Sequence, residues 1–203
     1  PNYADTLEEK AQFENPAQRW ADMSEVSHGM TLMSDYKYSF SAENNWLSMI
    51  LLRSPVSPDP SADQGTHSIR YALCPHLKTW TDADIPNIAK AFNEPPLVIA
   101  GATVAETDAF FQIRGTNPVA DAVVVETIKG AEDGRGFILR CYESKGTRGS
   151  ITIDFGALRL RTAFLCNLLE EDLSVVETEG NAVRIGYTPF EIITLRLVSE
   201  DAV

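Results

Sequence analysis

Apolar and polar positions alternate with a period of two through most of this chain. "GMTLMSDYKYSF" (29–40) and "WLSMILLR" (46–53) are apolar runs joined by the polar turn "SAENN". That arrangement predicts a hairpin, with Asn44-Asn45 able to take positive φ in its turn. A proline- and aspartate-rich connection follows. It leads into "HSIRYAL" (67–73), where Ile69, Tyr71 and Leu73 alternate with Ser68, Arg70 and Ala72. This is the period of a half-buried strand. The texture then changes. "TWTDADIPNIAKAFNEPP" (79–96) sets Ile85, Ile88, Ala89 and Phe92 at helical spacing, with Thr81 or Asp82 as N-cap and Pro95-Pro96 as terminator.

Beyond the helix come "LVIAG", "AFFQIR", "ADAVVVETIK", "GFILRCYES", "GSITIDF", "RTAFLCNLLE", "NAVRIGY" and "EIITLRLV". Short strands at intervals of about ten residues, with Gly, Asn and Pro turns between them, indicate a β-sandwich. Phe137, Leu139 and Cys141 share one strand face, and Ile193, Leu195 and Leu197 alternate with Thr194 and Arg196. The expected fold class is therefore all-β, with the helix as a linker-like crossing between two β units.

Composition narrows the partners. The chain has 203 residues, 44% hydrophobic and 23% charged, enough for one large domain or two small ones. A formal net charge of −12 repels phosphate backbones and anionic lipids, so neither nucleic acid nor a membrane is an expected partner. No apolar run approaches the roughly 20 residues that span a bilayer. The sequence contains no secretory signal and its first residue is Pro rather than Met, which reads as a processed or truncated chain. Cys74, Cys141 and Cys166 are odd in number and widely spaced. They read as mostly buried thiols of a reducing compartment.

Candidate chemistry is sparse. His67, Cys74 and His76 are zinc-type donors. A strand between them rises about 3.3 Å per residue, which puts its two ends more than ~20 Å apart, so they cannot close on one ion. "DPSADQG" (59–65) lacks the ligand spacing of a calcium loop. There is no GxSxG, no GxGxxG and no P-loop. The acidic groups Glu170-Glu171-Asp172 and Glu177, Glu179 read as solvated turns. His67 is expected to bond backbone or a carboxylate in its loop. Arg19, Trp20 and Asp22 read as interior contacts fixing a strand crossing.

Ordered motifs point further. Arg53-Ser54-Pro55, Pro58-Asp59, Asp63-Gln64-Gly65-Thr66-His67 and Tyr71-Ala72-Leu73-Cys74-Pro75-His76 follow one another in "LLRSPVSPDPSADQGTHSIRYALCPH". Upstream stand Phe13, Glu14, Arg19, Trp20, Ala21, Asp22, Ser24, Glu25, Gly29, Asp35, Lys37 and Tyr38, and near the end "CNLLEEDL" and "YTPFEIITLRLV". In this order they resemble the C-terminal, β-rich half of the α-mannosidases of glycoside hydrolase family 38, most closely the cytosolic and vacuolar branch. The resemblance is densest over 13–76 and 164–198.

The resemblance implies a zinc-dependent retaining exo-α-mannosidase acting on terminal mannose of oligosaccharides. Its nucleophile and zinc ligands would sit on an N-terminal domain absent here, so no catalytic or metal residue is expected in this chain. Residues 1–80 would be the C-terminal part of a large, galactose-mutarotase-like sandwich, 81–96 a linker helix, and 97–203 a small terminal sandwich. Implied partners are the rest of the same polypeptide, mannose-containing oligosaccharides and further copies in a homo-oligomer. A cytoplasmic or vacuolar location follows from the branch. The family's β half lends a loop to the sugar pocket, and "SDYKYS" (34–39) matches it best. Asp35, Tyr36 and Lys37 are its substrate-binding candidates, with either Tyr36 or Lys37 facing the sugar and Asp35 holding Lys37 in place. The chain alone is expected to be inactive. The rival reading is a stand-alone carbohydrate-binding or adhesion module, which needs a row of exposed aromatics. Trp20, Trp46 and Trp80 are dispersed along the chain.

Overall fold

The computed structural model describes residue 6 and residues 14–98, 100–101, 109–115, 122–156 and 158–200. Phe13, Ile99, Ala120 and Asp121, which the sequence reading used, lie outside them. The chain divides into two compact units between residues 98 and 99. Among the described residues there are β-strands and one α-helix, an all-β architecture.

The first unit holds two three-stranded sheets. One has the order β2 (Trp20–Ser24), β3 (His28–Ser34), β6 (Tyr71–Leu77), and the other β1 (Asn15–Pro16), β4 (Ser39–Glu43), β5 (Trp46–Met49). The expected hairpin forms as β4–β5. Glu43 pairs with Trp46 across the two-residue loop Asn44-Asn45, and Asn44 takes φ 52°. The run 29–40 is not one strand, however. It leaves the first sheet at Ser34 and enters the second at Ser39. The strand expected at 67–73 is displaced to Tyr71–Leu77, and its larger apolar side chains are the ones exposed.

Helix α1 (Ile85–Asn93) begins later than Thr81 or Asp82 would start it. Asp84 occupies the N-cap in the left-handed region, and Thr79, Thr81 and Asp82 bond one another in the turn before it. Ile85 and Ala89 are fully buried, and the helix packs on β3 of its own unit. Arg19 reaches Glu94 at 2.8 Å, and the rings of Trp20 and Trp80 lie 5.5 Å apart. "LVIAG" contributes no strand among its described residues, and Leu97 and Val98 are exposed.

The second unit is a sandwich. One sheet has the order β13 (Thr178–Glu179), β14 (Ala182–Tyr187), β10 (Gly149–Asp154), β7 (Gln112–Gly115). The other runs β12 (Asp172–Val176), β11 (Leu160–Cys166), β15 (Ile192–Ser199), β9 (Phe137–Glu143), β8 (Val123–Gly130). Register sets Ile193, Leu195 and Leu197 opposite Cys141, Leu139 and Phe137, the two faces expected from alternation. Against them pack Ile151, Ile153, Phe155, Val183, Ile185 and Tyr187. Each such side chain contributes about 1.5–3 kcal/mol by leaving water. Burial pushes the Cys141 thiol up to about 12 and raises that of Cys166, so both are packing groups rather than nucleophiles.

Strand β15 departs from simple alternation, because its other face is buried as well. Arg196 is only 1% exposed. Its guanidinium donates to Asp172 Oδ1 and Asp133 Oδ1, both at 2.7 Å, and to the carbonyls of Arg135 and Glu170. Glu170 in turn binds Lys129 Nζ at 2.7 Å and the Glu132 N–H. The acids 170 and 172 are therefore not free solvated turn residues: Asp172 pairs with the buried Arg196, whose charge would be costly unpaired, and Glu170 pairs with Lys129 while its carbonyl also serves Arg196. Gly136, at φ 79°, allows this closure, since a Cβ there would run into the Leu197 carbonyl. Glu143 is the second buried charge. It accepts the N–H groups of Lys145, Gly146, Thr147 and Phe190, pinning two loops together.

The Arg135 N–H and guanidinium, then Arg196, hold the Asp133 carboxyl down to about 2 from 3.8. Glu170 is lowered by Lys129 first. For Asp172 burial acts upward, and hydrogen bonds from Arg196, Cys166 and Arg135 outweigh it. Depressed carboxylates stabilise the fold above their unfolded pKa and lose that contribution as pH falls through the folded one. The second unit should therefore lose stability from about pH 4 downward toward pH 2. Asp133→Asn should flatten that slope in denaturant titrations followed by circular dichroism, and an unchanged slope would contradict the assignment.

Candidate functional site

The candidate residues Asp35, Tyr36 and Lys37 lie on the connector between β3 and β4. A chain changing sheets in four residues must turn sharply, and Ser34 starts the turn. Its buried Oγ accepts the Lys37 N–H at 3.1 Å. Asp35 does not hold Lys37, contrary to expectation. Its Oδ2 accepts Arg70 Nε at 3.1 Å, while its Oδ1 is buried without a partner. Arg70 also donates to the Phe92 carbonyl at 3.1 Å and lies 4.8 Å over that ring, so it ties the connector to the end of α1. Tyr36 donates its hydroxyl to the Ser68 carbonyl at 2.5 Å. Lys37 is instead placed by Tyr36: its ammonium lies 4.6 Å from the centroid of that ring.

Tyr36 and Lys37 open onto a cleft of about 670 Å³, which Glu14, Tyr38, Arg53 and Asp63 also line. Asp35 is not in its wall. Glu14 Oε2 accepts Ser39 Oγ at 2.7 Å and stands 4.0 Å from the Arg53 guanidinium. Asp63 Oδ2 accepts the Ser54 N–H at 2.9 Å. The cleft thus offers two aromatic edges, two cations and two carboxylates. That set suits a polyhydroxylated ring with an apolar face. Glu14, Tyr38, Arg53 and Asp63 stand among the family motifs, but nothing in their spacing assigned them to a site. They come together only through the β1–β4 pairing and the loop 50–66.

The zinc-type donors stay apart. His67 Nε2 bonds the Asp63 carbonyl at 2.9 Å, the backbone contact expected of it. His76 turns inward from β6 and meets Asp22 Oδ2 at 2.8 Å, where Thr31 also donates at 2.5 Å. Asp22 does fix a strand crossing, from β2 over β3 to β6. Gly29 makes room for the imidazole, which a Cβ there would strike. Among the described residues no group of three or more His, Cys, Asp or Glu could hold a metal ion.

With this geometry in hand, comparison with known proteins is informative. The family described as "Glycosyl hydrolases family 38 C-terminal domain" matches residues 1–61, and "Glycosyl hydrolases family 38 C-terminal beta sandwich domain" matches 122–195. Human "Alpha-mannosidase 2C1" is 34% identical over 203 residues, covering 98% of this chain and 19% of the relative. "Alpha-mannosidase G" of Dictyostelium discoideum is 35% identical, covering 98% and 18%. "Alpha-mannosidase" of Saccharomyces cerevisiae is 30% identical, covering 97% and 20%. The chain thus spans about a fifth of the length of these curated relatives. A solved family 38 protein from Enterococcus faecalis has the same fold, with TM-score 0.68 at 16% identity, covering 90% of this chain and 22% of that one.

A double-mutant cycle on Asp35→Ala and Arg70→Ala should show a coupling of about 0.5–1 kcal/mol in unfolding free energy. Additive effects would mean that this pair does not hold the connector.

Proposed function

The chain belongs to glycosyl hydrolase family 38, and from that premise we propose that it is the C-terminal part of a zinc-dependent retaining exo-α-mannosidase. The observation that carries this reading is the match of nearly the whole chain to α-mannosidases of which it spans only a fifth. The nucleophile, the acid/base carboxyl and the zinc ligands belong to the rest of the polypeptide. Residues up to about 80 are then the tail of a larger sandwich.

The part this chain plays in the reaction is to close one side of the mannose pocket. Lys37 donates to a sugar hydroxyl, and Tyr36, held by Ser68, gives the ring an apolar wall. Asp35 acts behind them as a positioning residue, through Arg70. Substrates are mannose-terminated oligosaccharides, the protein resides in the cytoplasm or vacuole, and copies associate into a homo-oligomer. No helix among the described residues is long and apolar enough to cross a membrane. The rival adhesion reading finds little support: Trp20 and Trp80 pack on each other, leaving only Trp46 strongly exposed among the tryptophans.

The intact polypeptide should hydrolyse a chromogenic α-mannoside, and the 203-residue chain alone should not. Chelator-sensitive turnover by the chain alone would overturn the division of labour. In the intact enzyme, Lys37→Ala should lower kcat/KM about tenfold, the loss of one charge-assisted hydrogen bond worth about 1.5 kcal/mol. An unchanged kcat/KM would remove Lys37 from the pocket.

A further inference from the structure

Two short connectors of the first unit change sheets, and they run side by side. Residues 17–19 lead from β1 in one sheet to β2 in the other, and residues 35–38 lead back from β3 to β4. Where they pass, the Ala17 N–H donates to the Tyr38 carbonyl and the Ser34 N–H to the Arg19 carbonyl, both at 2.9 Å. Arg19 takes φ 71° at the bend, and Pro16 stands opposite Ser39 in the ladder beyond. The backbone around Tyr38 is thus tied down, yet its side chain is 53% exposed. The two tyrosines of the connector differ in their hydroxyls. Tyr36 commits its own to the Ser68 carbonyl. That of Tyr38 has no hydrogen-bond partner among the described residues.

Tyr38 stands between two hollows. One is the cleft of about 670 Å³ onto which Tyr36 and Lys37 open. The other, of about 370 Å³, is lined by Pro16, Ala17, Gln18 and Tyr38. Pro16 and Tyr38 belong to both walls, so one hollow leads into the other. No charged side chain lines the second. Its polar groups are the exposed Gln18 amide, which both donates and accepts, and the Tyr38 phenol.

We propose that Tyr38 and Gln18 form a second sugar subsite, which holds the residue to which the terminal mannose is attached. The inference rests on the reading of Tyr36 and Lys37 as one wall of the mannose pocket. Three observations choose this occupant. A glycosidase that removes terminal mannose leaves only one sugar joined to it, so a hollow continuous with the pocket receives the leaving group. An uncharged wall suits a neutral sugar better than a phosphate or a carboxylate. A half-exposed aromatic on fixed backbone offers a stacking face at little ordering cost, with a phenol and an amide for hydroxyls of either sense.

The test compares two substrates of the intact enzyme: the α-linked mannobiose it cleaves fastest, and α-mannosyl fluoride, which carries no leaving sugar. Tyr38→Ala should lower kcat/KM for the mannobiose about tenfold more than for the fluoride. Gln18→Ala should do so about threefold. Equal losses on both substrates, or no loss on either, would overturn the subsite. Should Tyr38→Ala fail to fold, Gln18→Ala, altered at an exposed position, decides alone, and an unchanged ratio overturns the proposal. Lys37→Ala is read in parallel and should lower both substrates together. If the unsubstituted polypeptide cleaves neither substrate, the functional reading fails. If Lys37→Ala leaves both unchanged, the mannose pocket is misplaced. If Lys37→Ala lowers both and the ratio ignores Tyr38 and Gln18, only the second subsite fails.

Discussion

The chain must pass from one sheet to another between Ser34 and Ser39, and the candidate site depends on that constraint. Four residues allow no slack, so the turn is held at each step: Ser34 takes the Lys37 N–H, Asp35 takes Arg70, and Tyr36 reaches Ser68. Two of these ties run to the stretch just before β6, which is fixed to β3 by strand pairing. A loop held on both sides by a sheet can present Tyr36 and Lys37 to a ligand with little ordering cost. The third member of the trio, Asp35, bonds Arg70 and does not line the cleft.

Buried polar groups are the second organising feature. Arg196 and Glu143 in one unit, and the Asp22–Thr31–His76 cluster in the other, sit where apolar side chains would also pack. Arg196 and Glu143 fix backbone as well as side chains, whereas the cluster ties three strands through side chains alone. Arg196 gathers two loops by their carbonyls, and Glu143 gathers two loops by their N–H groups. The pairing of Arg196 and Glu143 makes the loops of the second unit specific, and the same pairing makes that unit sensitive to acid.

Much of the fold was legible from alternation. The hairpin at Asn44-Asn45, the sandwich after residue 110, and the inward set Ile193, Leu195 and Leu197 all follow from a period of two. The departures have physical causes. Residues 29–40 read as one strand because a sheet-switching bend keeps the same composition as a strand. β6 started late because Arg70 serves Asp35 and the helix rather than a ladder. Glu170 and Asp172 looked like solvated turn acids because their cations, Lys129 for Glu170 and Arg196 for Asp172, lie over twenty residues away. At the candidate site, residues 35–37 were chosen through family resemblance, and of them Tyr36 and Lys37 line the cleft. The partners that set their orientation, Ser68 and Arg70, were not, since nothing local couples positions so far apart in sequence.

The central claim is that this chain completes a mannose pocket whose chemistry lies elsewhere in the polypeptide. A structure of the intact enzyme with an α-mannoside bound tests it most directly. The account predicts a sugar hydroxyl about 3 Å from Lys37 Nζ, with the Tyr36 ring against the pyranose. A mannoside bound in the catalytic domain with no atom of the Ser34–Tyr38 connector in contact with it would contradict the account.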